Sequence, residues 1–71
     1  MQRFGEKLRT LRKRNGLSLR QLASELEFAS HSHVTNMEAG RKKPSAELVF
    51  KIARFFNVTT DQLLDDELDV N

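Results

Sequence analysis

Apolar residues in this 71-residue chain come in short sets at helical spacing, and a glycine or asparagine follows most of them. Phe4, Leu8 and Leu11 fall at i, i+4 and i+7, one stripe on a helix over about residues 2–14. Asn15-Gly16 stops that helix, because glycine accepts the left-handed backbone at a helix end. Ser18 and Gln21 have the S-x-x-Q spacing of a capping box, and Leu22, Ala23 and Leu26 supply the buried face of a second helix over about 18–26. Ser30 caps a third, anchored by Val34 and Met37 and closed by Gly40 near residue 39. Pro44 and Ser45 open a fourth, with Val49, Ile52, Ala53 and Phe56 at i, i+3, i+4 and i+7 and Asn57 as its stop. Thr59 and Gln62 repeat the capping-box spacing before Leu63 and Leu64 of a fifth. With no strand signal, the expected fold is all-α, a compact five-helix bundle.

A chain of this length has room for one small core, so function must be built on its surface and a large substrate cavity is not expected. The helices fill residues 1–64, and the acidic tail 65–71, "DDELDVN", is expected to fray. Cysteine is absent, which removes disulfides and thiolate metal sites and fits a reducing compartment. No apolar run approaches the roughly 18 residues of a membrane span, and "MQRFGEKLRTLRKR" lacks the apolar centre of a signal peptide, so the expected location is cytoplasmic. Net charge is +2, but residues 1–43 hold ten Lys/Arg against four acids while residues 44–71 hold two against six. That split suits a polyanion partner for the first part, or solvated helix faces that keep a small protein dispersed.

The second and third helices, joined by a short polar turn, form a helix-turn-helix arrangement whose second member can enter the DNA major groove. The segments "LRTLRKRNGLS" (8–18), "LRQLASEL" (19–26), "VTNMEAGRKKPS" (34–45) and "LVFKIARFFNVTTDQLL" (48–64) extend the pattern. Over about residues 3–64 the chain resembles the Cro and phage-repressor (XRE-like) helix-turn-helix proteins. The resemblance implies a lambda-repressor-like DNA-binding domain with an ion pair between Arg12 and Glu38 that fixes the first helix against the third. It assigns His31, Ser32, Thr35 and Asn36 to the base-reading face. Asn36 suits this best, because its amide donates and accepts at once, matching N7 and N6 of adenine. Phosphate contacts are expected from Arg20 in the first turn of the second helix and from Arg41, Lys42 and Lys43 after the third. Arg3, Lys7, Arg9, Lys13 and Arg14 are read mostly as solvated charges.

His31 and His33 invite a metal reading. On a helix, however, i, i+2 side chains point apart, and no cysteine or aspartate stands nearby to complete a site beyond Glu27 and Glu38. Neither a metal nor any other cofactor is expected. No orienting acid accompanies the serines and histidines, so no enzyme is expected either.

Two departures from the family pattern stand out. Glu27 occupies a turn position that is commonly glycine, and "EFASHSH" makes the connection one residue longer. The extra residue is expected to reshape the turn so that a left-handed glycine is not needed, with Phe28 plugging the core. Leu19 stands where the family often has a glutamine on the DNA backbone.

Leu48, Phe50 and Phe55 lie outside the fourth helix's stripe, and with Leu64 they form the expected dimer face. A twofold dimer would set two reading helices about 34–36 Å apart on a pseudo-palindromic operator. The expected function is a sequence-specific double-stranded DNA-binding transcriptional regulator acting as a homodimer. The alternatives are an antitoxin-type regulator whose fourth and fifth helices and tail bind a protein partner, with DNA binding secondary, and an interaction module without DNA affinity.

Overall fold

A computed structural model describes residues 2–27 and 30–70. The described elements are all helical: α1 (Phe4–Arg14), α2 (Leu19–Glu25), α3 (His31–Glu38), α4 (Ala46–Phe56) and α5 (Thr60–Leu64). Local chemistry sets most boundaries. The Ser18 and Thr59 hydroxyls accept the amides of Gln21 and Gln62, whose side chains return the bond to the cap backbone, so both capping boxes form. Ser30 and Ser45 cap α3 and α4 through the amides of His33 and Leu48. Gly16 at φ +68° and Asn57 at φ +56° take the left-handed conformation that ends α1 and α4.

The core gathers Phe4, Leu8 and Leu11 of α1, Leu22 and Leu26 at α2, Val34 and Met37 of α3, Leu48 and Ile52 of α4, and Leu63 of α5. Leu48 is therefore spent inside the monomer at 1% exposed, and it drops out of the expected dimer face. It stands four residues before Ile52, so the helix sets both on the same buried side. Phe50 and Phe55 stay exposed at 62% and 40%, and Leu64 is half-buried against the core. Phe55 stacks edge-to-face on Phe56, with ring centroids 4.9 Å apart.

α1 crosses α3 at Gly5 with no space between the backbones. A Cβ there would stand 2.6 Å from the Glu38 carbonyl oxygen, so a side chain at this position would push the helices apart.

Residues 65–70 of the acidic tail do not fray. Asp66 accepts the backbone amides of Gln2 and Arg3 at 3.0 Å each, placing a carboxylate at the positive end of α1. Arg3 pairs with Asp69 at 2.9 Å and donates to the Asp66 carbonyl at 2.9 Å. Val70 is buried, and its carbonyl accepts from Arg14. Lys7, read as solvated, is 2% exposed, and its ammonium donates to the carbonyls of Gln62 and Asp65 at 2.6 Å each. Carbonyls at the end of α5 have no partner within the helix, and a cation there satisfies them and suits the negative end of the dipole. Residues 65–70 thus form a strap along α1.

The turn between α2 and α3 also departs from expectation. Glu27 has φ +62°, so the longer connection keeps the left-handed residue and fills it with glutamate. The Leu26 amide closes onto the Leu22 carbonyl and that of Glu27 onto Ser24 before the chain turns, a geometry that glycine meets without strain. The expectation for Phe28 falls outside the described residues.

Candidate nucleic-acid interface

α3 is a short helix with two sides of opposite character. Val34 and Met37, fully buried, hold it to the core. His31 and Ser32 are exposed on its first turn, Thr35 and Asn36 are partly exposed one turn on, and His33 is partly buried. The Thr35 hydroxyl donates to the His31 carbonyl at 3.0 Å, which commits its proton to the helix. The four residues expected to face bases therefore share one stretch of open helix surface.

An ion pair fixes that helix from beneath. Arg12 donates from Nε to Glu38 Oε2 at 2.6 Å and from Nη2 to Oε1 at 3.1 Å, while Nη1 reaches the Leu17 carbonyl at 2.9 Å. The two side chains are 11% and 8% exposed, so the fork works where water competes little. Donation to the Glu38 carboxylate, opposed by burial, raises the Arg12 pKa above its ordinary value. One guanidinium thus joins α1, α3 and the loop leading to α2.

Cationic side chains flank α3 on both sides in sequence. Arg20 is exposed in the first turn of α2, and Arg41, Lys42 and Lys43 are exposed in the loop that follows Gly40. A shallow cleft of about 360 Å³ lies between this loop and the start of α1, lined by Gln2, Phe4, Met37, Lys42 and Lys43 among others. It holds no acid, histidine or hydroxyl nucleophile and so offers no acid–base pair. Among the described residues, no three histidine, cysteine or acidic side chains gather as a metal site.

Comparison with known proteins matches the helix-turn-helix domain family over residues 3–66. The chain belongs to that family. Over 64 residues this helix-turn-helix domain is 39% identical to the HTH-type transcriptional activator BcrR of Enterococcus faecalis, an alignment covering 90% of the chain and 31% of that protein. The chain thus spans about a third of this relative's length.

Several structural residues of the domain escaped the sequence reading. Gly5 carries no local signal, because its role depends on a helix contacted more than thirty positions later. Lys7 did carry one: it falls three residues after Phe4 and four before Leu11, on the buried stripe itself. Leu19 packs partly buried against the core, which accounts for an apolar residue where a polar one is frequent. No helix among the described residues is long and apolar enough to cross a membrane.

Proposed function

We propose that this helix-turn-helix domain is a sequence-specific, double-stranded DNA-binding transcriptional regulator of the XRE-like, Cro-related type that reads its operator through α3. The observation that carries the reading is the outer side of α3, where His31, Ser32, Thr35 and Asn36 share an accessible surface, with exposed Arg20 before it and exposed Arg41, Lys42 and Lys43 after it in the sequence. Side chains that donate and accept toward base edges give sequence choice, and cations on either side give affinity and register. The name of the Enterococcus relative supports the same activity. Cytoplasmic action on a pseudo-palindromic site by a homodimer completes the proposal, with Phe50 and Phe55 as the apolar surface available to a second copy.

Affinity measured across a salt series tests it. If Arg20, Arg41, Lys42 and Lys43 each neutralise one phosphate per subunit, a dimer makes about eight contacts and log K falls against log salt with a slope near −7. A slope shallower than about −2 would favour an interaction module without DNA affinity, with Phe50 and its neighbours as the working surface.

A further inference from the structure

The turn that ends α3 brings residues 36 and 41 together twice. Gly40, at φ +78°, reverses the chain, and the Arg41 amide donates to the Asn36 carbonyl at 2.9 Å, with the Lys42 amide on the same oxygen at 3.3 Å. This closure of the helix end holds the Arg41 backbone over the last turn of α3. Its side chain then meets that of Asn36: Nη1 donates to Oδ1 at 3.4 Å. A guanidinium carries donors and no acceptor, so it engages the oxygen of the carboxamide and not the NH2 group.

We infer that Arg41 is a positioning residue for base choice, holding the Asn36 carboxamide in one of its two orientations. The inference rests on the reading of α3 as the DNA-reading helix. An unrestrained carboxamide turns over and offers its oxygen and NH2 in either order, and the two orders complement different base edges. Adenine requires a donor toward N7 and an acceptor toward N6. With Arg41 on one lone pair of Oδ1, the second lone pair remains to accept from N6 while the NH2 donates to N7, and the reversed order is disfavoured. Arg41 keeps further N–H groups for a phosphate, so orientation adds to its charge role rather than replacing it.

Selection of bound sites from a random duplex pool, using the full chain, tests the pairing. The wild type should show a preference at one base pair per half-site that Asn36→Ala weakens about tenfold or more. Arg41→Ala should weaken the preference at that same base pair, and the double variant should weaken it no further. Lys42→Ala should lower affinity for all duplexes while the preference survives. Uniform loss of affinity in Arg41→Ala, with the wild-type preference retained at that base pair, overturns the positioning role and leaves DNA reading by α3 in place. A wild-type chain that enriches no sequence overturns DNA reading itself, and the positioning role with it.

Discussion

Glu27 holds a left-handed backbone that costs a residue with a side chain about 1–2 kcal/mol relative to glycine. Its compensation is slight: the carboxylate lies 3.5 Å from the Lys51 ammonium with its side chain 79% exposed, the regime in which an ion pair contributes little. Glu27→Gly should therefore raise stability by about 1 kcal/mol, and for a domain of this size the thermal midpoint should rise by about 4–8 °C. Calorimetry of the two proteins reads this directly, and an unchanged midpoint would mean the turn relaxes at no cost. Arg12 and Glu38 stand at the other extreme. Each is nearly buried, and removing one strands the other away from water. Arg12→Ala or Glu38→Ala should each cost about 3–5 kcal/mol, and the double variant should cost clearly less than their sum. A denaturation cycle that proved additive would show that the two charges do not depend on each other.

At the scale of elements, the strap over α1 is the feature most sensitive to conditions. Asp66 accepts the Arg3 and Gln2 backbone amides, which lowers its pKa to about 2, and the Arg3 side chain lowers that of Asp69. A carboxylate whose folded pKa is depressed stabilises the fold above its unfolded value near 4, and that contribution disappears as pH falls toward about 2. Melting temperatures followed from about pH 5 to about pH 2 should fall through this window, and Asp66→Asn should flatten the fall. Parallel curves for the two proteins would mean that the strap does not couple to folding. The helices were legible in the sequence because their determinants are local: Ser18 with Gln21, Thr59 with Gln62, and apolar stripes that repeat within a few residues. The strap was not, since Asp66 and Arg3 lie 63 positions apart and each reads alone as a solvated charge. The interface divides in the same way. The exposed residues of α3 follow from helical spacing around Val34 and Met37, whereas the contact of Asn36 with Arg41 depends on the reversal at Gly40.

For the whole molecule, the proposed assembly turns on α4. Phe50 and Phe55 are five positions apart, about 140° around a helix, so they do not form one continuous stripe. Leu48, which would have widened the apolar area, is inside. What remains suits a modest, concentration-dependent contact between copies, in which a single charged substitution carries weight. Sedimentation should show a monomer–dimer equilibrium that Phe50→Glu shifts toward monomer, while a chain that stays monomeric at hundreds of micromolar, free and on DNA, would remove the palindromic operator from the proposal.

The strap also gives the molecule a seam. Residues 2 and 3 are hydrogen-bonded to residue 66, and Arg3 reaches residue 69, so both described ends of the chain meet on one edge of the bundle. A mechanical load applied between those ends bears first on the strap, on its polar contacts together with buried Val70, and only then on the helices. The fold behaves as a clasped ring, in which the clasp yields before the band.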